Sequence, residues 1–129
     1  MSKNIFALLI AALAGSAMAF QGSLNAALGK VVGLLEATLI VMVIGTITAL
    51  VALYPLGLGK GNLAKIAEAP WYQYLGGLLI VLITYAVVVS IPRVGVANAT
   101  TAIIAAQVTT AALIDHFGLF GLEAIPFSW

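Results

Sequence analysis

Four uncharged stretches, each longer than 20 residues, constrain this chain more than any other feature. Asp, Glu, Lys and Arg are absent from residues 4–29, 37–59, 69–92 and 94–114. A membrane-spanning helix needs about 20 mostly apolar residues. Lipid offers the backbone no hydrogen-bond partners, so only helices or closed barrels cross it. Barrel strands read as alternating segments of about ten residues, and these runs are continuous. The sequence therefore predicts an all-α polytopic membrane protein. It forms a single membrane domain over residues 1–129, with helices over about 4–28, 35–56, 71–91 and 94–114. Residues 115–129 follow as a C-terminal connector.

Composition supports the same solvent. Of 129 residues, 64% are hydrophobic and 7% charged, whereas a soluble domain carries about 25% charged residues on its surface. Lys3, an apolar stretch at 5–13 and small residues at 17–19 match a secretory leader. The apolar pattern continues past that point, which favours a first membrane helix. The net charge of +1 gives no basic stripe for nucleic acid. With no cysteine and one histidine, His116, no metal cluster or thiol chemistry is expected. No cofactor motif or nucleophile–base pair is visible, and an enzyme is not expected.

The breaks carry turn chemistry. Gly29, Lys30 and Gly33 mark the first turn. Residues 57–62 mark a second loop, with a short interfacial helix expected over 65–69. Pro70 opens the third helix, where its missing N–H costs nothing. Ile91-Pro92-Arg93 is read as a tight break between the third and fourth helices. Trp71, Tyr72 and Tyr74 suit an interfacial aromatic belt. Lys3, Lys60 and Lys65 fall on one side and Lys30 and Arg93 on the other. Three cations against two is a weak orientation signal, compatible with parallel and antiparallel assembly alike.

Small residues line the first helix at Ala11, Gly15, Ala19, Gly22, Ala26 and Gly29, spaced by three and four. The second helix has Thr38, Met42, Gly45, Ala49 and Ala52. Such stripes let helix backbones approach closely in lipid. Beside the first stripe lie Gln21 and Asn25, one turn apart. Gln107 lies on the fourth helix near the face of Thr100 and Thr110, and Tyr85 lies midway along the third with Thr84. An unpaired amide in hydrocarbon costs several kcal/mol, so these groups need a helix partner or a wet path. Interhelical hydrogen bonding and a substrate-binding lining formed by Gln21, Asn25, Gln107 and Tyr85 are both open. Glu36 suits the start of the second helix through the helix dipole. Asp115 and His116 are read as part of the connector.

The run Ala19-Phe20-Gln21-Gly22-Ser23-Leu24-Asn25-Ala26-Ala27-Leu28-Gly29 resembles the first-helix signature of YdcZ-type proteins of the drug/metabolite transporter superfamily. Glu36-Ala37-Thr38, Gly45-Thr46, the stretch from Pro70 through Gly77, Gly95-Val96-Ala97-Asn98-Ala99, Gln107 and the stretch from Ile114 through Gly121 extend the resemblance over essentially the whole chain. It implies a small multi-pass transporter of the bacterial inner membrane, related in plan to small multidrug resistance proteins. It also implies a homodimer, parallel or antiparallel, or a heterodimer with a longer paralogue. Such a protein moves a small organic solute by alternating access; a non-transporting partner subunit or a membrane scaffold are the alternatives. Two departures stand out. YdcZ-type proteins continue into a fifth helix about where this sequence reaches Trp129. The first-helix glutamate of small multidrug resistance proteins is replaced here by groups that do not titrate, Gln21 and Asn25. Neutral lining groups suit a neutral or zwitterionic solute.

Overall fold

A computed structural model describes residues 2–118, 122, 123 and 125, with side chains from Asn4 onward. Within them the chain is helical, with no strand. Helix α1 spans Ser2–Val32, α2 Leu34–Leu53, α3 Leu75–Val94 and α4 Val96–Phe117. Four helical stretches are long and apolar enough to cross a membrane: Asn4–Val32, Leu34–Leu53, Trp71–Val94 and Val96–Phe117. Residues 126–129, about where the resemblance places the start of the family-typical fifth helix that this sequence lacks in the four-helix reading, lie outside the described residues.

The helices form two tight hairpins, each turned by a single glycine. Gly33 has φ 111° and ψ 155°, and Gly95 has φ 87° and ψ 159°. That region of backbone space is essentially closed to residues with a Cβ. Each glycine ends one helix and starts the next. Gly33 N–H donates to the Gly29 carbonyl at 3.0 Å, and its own carbonyl accepts from Ala37 N–H at 2.9 Å. Gly95 N–H donates to Ile91 at 2.8 Å, and its carbonyl accepts from Ala99 N–H at 3.1 Å. Helix α1 thus continues through Gly29, and α3 continues through Pro92 to Val94. Pro92 sits in the last turn of α3, where little helix remains to be broken. The chain reverses at Gly95 because only a residue without a Cβ reaches that conformation.

Burial follows the same two-fold plan. Gly22, Ala26 and Ala37 are buried in the first hairpin, and Thr84, Val88 and Ala99 in the second. Each pair is separated by 62 residues, as are Gly33 and Gly95. Every buried described residue lies within 22–38 or 84–99, so packing is concentrated beside the two turns. Small residues make this possible. A Cβ on Gly22 would lie 2.9 Å from Ile91 Cδ1, and one on Gly29 would lie 2.8 Å from Val88 Cγ1. Helix α1 therefore packs its glycines directly onto α3. Away from the turns the stripe has no such neighbour: a Cβ on Gly15 or Gly45 would meet nothing within 4 Å.

The link between α2 and α3 is built from two short 3-10 helices, η1 (Leu63–Glu68) and η2 (Trp71–Tyr74). Asn62 caps the first, its side-chain oxygen accepting from Ala64 N–H at 2.9 Å. Pro70 precedes the second, and its carbonyl accepts from Gln73 N–H at 3.0 Å. Trp71 and Tyr72 meet edge to face at 6.2 Å. Helix α4 runs on through Asp115 and His116 and stops at Gly118, which has φ 60°. Those two residues therefore belong to the last turn of α4, not to a connector.

Candidate functional site

Polar side chains in these helices divide into two groups. Seven of the hydroxyls satisfy themselves. Ser23, Thr38, Thr46, Thr48, Ser90, Thr101 and Thr109 each donate to the carbonyl four residues back, at 2.7–3.0 Å. Such back-bonding lets a hydroxyl sit in a helix without a tertiary partner. Among the longer groups, Asn98 manages the same through Nδ2 to the Val94 carbonyl at 3.0 Å. Gln21, Asn25, Tyr85 and Gln107 do not: among the described residues their side chains form no hydrogen bond.

Their positions differ. Asn25 is 8% exposed and sits in the packed region with Gly22, Ala26 and Gly29. No fully buried side-chain nitrogen or oxygen lacks a partner among the described residues, so the Asn25 amide reaches the edge of that region. Thr84, 7% exposed, is placed the same way. Gln21, Tyr85 and Gln107 are exposed on this single chain. Gln21 and Asn25 are about 40° apart around α1, and the edge of the packed face falls between them. No hydrogen bond joins any two of the four. Thr100 is half-buried, and Thr110 is exposed.

Depth unites the exposed three. Gln21 lies three residues past the midpoint of the Asn4–Val32 span, about 4.5 Å along the axis. Tyr85 is two to three residues past the midpoint of Trp71–Val94, and Gln107 sits at the midpoint of Val96–Phe117. All three lie near the centre of helices whose stretches at 4–29, 69–92 and 94–114 carry no charged residue.

A second feature escapes sequence reasoning. Helices α3 and α4 diverge from Gly95 and leave a cleft of about 410 Å³. Arg93, Ser90 and Asn98 line its end near the turn, and Ala86, Ala102 and Ile103 line it further along. Ser90 and Arg93 are three residues apart and share a helix face, a signal present in the sequence. That α4 would stand off from α3 was not. A smaller hollow of about 150 Å³ lies between Ala19, Phe20, Ser23 and Val96. No group of three or more metal-ligating side chains occurs among the described residues.

The family follows from comparison with known proteins. Residues 6–129 match the family model described as "Putative inner membrane exporter, YdcZ". The chain belongs to the YdcZ family. With four helices fit to span a bilayer, this YdcZ protein is a multi-pass inner membrane protein of a transporter family. No curated protein matches the chain, and no solved structure does.

Proposed function

We propose that this YdcZ chain is one half of a dimeric transporter that moves a small organic solute across the inner membrane by alternating access. One observation carries the reading: Gln21, Tyr85 and Gln107 expose polar groups without partners near the middle of apolar spans. An amide left against hydrocarbon costs several kcal/mol. A second copy placed over these faces shelters them and encloses a polar path at the bilayer midplane. Asn25, at the edge of the packed region, borders the same path. Polar groups at this depth ordinarily face a bundle interior or a water-filled cavity. The open glycine faces at Gly15 and Gly45 suit close approach of another helix. The packing of α1 against α3 beside the turns gives each copy a firm end, about which the loosely packed ends can open to alternate sides.

The absence of native cysteine makes the test clean. Gln107→Cys in sealed membrane vesicles should react with a membrane-impermeant thiol reagent, because a water-filled path lets the thiolate form. Ala105→Cys, also exposed on α4 but about 200° around the helix, should stay unlabelled. Equal protection of both positions would place Gln107 against lipid and end the path reading.

A further inference from the structure

We propose that the cleft between α3 and α4 is a binding site for a single-chain amphiphilic anion, a carboxylate or phosphate head on an aliphatic tail. The site goes beyond the transport reading and does not need it. Arg93 is the one charged residue lining the cleft. Among the described residues its guanidinium has no hydrogen bond or ion pair, so its five donors are free for a ligand. Its two polar neighbours are already engaged, Ser90 with the Ala86 carbonyl and Asn98 with the Val94 carbonyl. The hydroxyl and amide thus keep only part of their bonding capacity for a ligand, while the charge is uncommitted. An arginine in that state matches a carboxylate or phosphate geometrically, since its planar fork binds either in bidentate fashion.

The rest of the cleft fixes the other end of the ligand. From Arg93, in the last turn of α3, the lining becomes apolar within two turns at Ala86, Ala102 and Ile103. Because α3 ends at the hairpin turn, Arg93 stands at the membrane surface and the apolar arm descends into the bilayer. A ligand with its charge at one end and hydrocarbon at the other fits that gradient in one orientation only. A volume of about 410 Å³ falls in the range of about 300–1,000 Å³ found for small-molecule sites. Gln107 lies one turn beyond Ile103 on about the same face, so the apolar arm points toward the midplane.

The corresponding place in the first hairpin is unlike this one. Position 31 there is Val31 where the second hairpin has Arg93, and Glu36 stands where it has Asn98. A Cβ on Gly33 would collide with the Glu36 carboxylate, which therefore lies over that turn. An anion would be repelled there. Over Gly95 nothing stands within 4 Å of such a Cβ, and the second turn is open.

The test uses the full chain in nanodiscs of neutral phosphatidylcholine and a fatty carboxylate carrying a diazirine near the tail end. Photolabelling should map to α3 and α4 along the cleft. Arg93→Gln should lower it about tenfold or more, since it removes a charge-assisted bond, and Arg93→Lys should restore part of it. Lys30→Gln, which removes a cation from the other hairpin, should change nothing. Ala102→Leu fills the apolar arm with Arg93 intact and should also reduce labelling. Excess anionic lysophospholipid or excess unlabelled carboxylate identifies the source of the head group, and displacement by either supports the site. Displacement by neither, equal labelling in Arg93→Gln, or label spread over all four helices overturns it. None of these results bears on labelling of Gln107→Cys, so the two ideas fail separately.

Discussion

The two hairpins of this chain share one backbone device and put it to opposite uses. Both reverse at a glycine with φ near 100°, and both bury the residues eleven and seven before that glycine and the residue four after it. The first hairpin is closed. Gly29 takes Leu34 and Val88 against its backbone, and the Glu36 carboxylate covers Gly33. The second is open, with nothing over Gly95 and a cleft between its helices. The difference arises from side-chain size. Gly22, Ala26 and Gly29 let α1 lie close to its neighbours, whereas α3 carries Thr84, Val88 and Ile91 at the corresponding places. Bulk on α3 fills the grooves of α1, and a cleft remains between α3 and α4. One hairpin serves as the packed base, and the other keeps a surface for a ligand.

That contrast can be broken at the turns first. Gly33→Ala and Gly95→Ala both force a Cβ into a glycine-only conformation, at a cost on the order of 1–3 kcal/mol each. Gly33→Ala should be the worse of the two, because its methyl also displaces Glu36. Thermal unfolding in detergent orders them, and a larger loss at Gly95 would mean the second turn is the better packed.

The next contrast lies along α1. Gly22→Leu overpacks against Ile91 and Val87 and should lower stability by about 1–3 kcal/mol. Gly15→Leu meets nothing within its own chain. It should leave monomer unfolding unchanged and weaken only association between copies, read by crosslinking across a detergent dilution series. Comparable losses of unfolding stability at both positions would show that the stripe is used along its whole length within one chain.

The smallest effects separate the two buried threonines. Thr38→Val removes a hydroxyl bonded to the Leu34 carbonyl at 3.0 Å. That carbonyl keeps its helical partner, so the loss should stay below about 1 kcal/mol. Thr84 has no such bond, and Thr84→Val should be neutral or stabilising by a few tenths of a kcal/mol. A clear destabilisation by Thr84→Val would reveal a polar partner supplied from outside the chain.

The four spans were legible in the sequence because lipid demands long uncharged runs, and that signal needs no knowledge of packing. The turns were less so. Pro92 reads as a breaker, yet it costs little in a last turn; the reversal falls at Gly95 because of a conformation that periodicity does not encode. The pairing of Gln21 with Asn25 was visible as a spacing. Which of them would be covered was not, since that depends on where α3 crosses α1. Arg93 was read as a topology charge, and its neighbours gave it no other meaning until α4 was seen to stand away. Tyr85 and Gln107 could be named from chemistry alone, but their common depth required the ends of every helix.

The central claim is that one chain is half of the working unit, because it leaves midplane polar groups uncovered. The most direct measurement is the mass of the protein expressed alone and drawn from the membrane into nanodiscs without detergent. Two chains per disc, twice 13.3 kDa, are predicted, together with impermeant-reagent labelling of Gln107→Cys in those same discs. A single chain per disc with Gln107→Cys unlabelled would contradict the account.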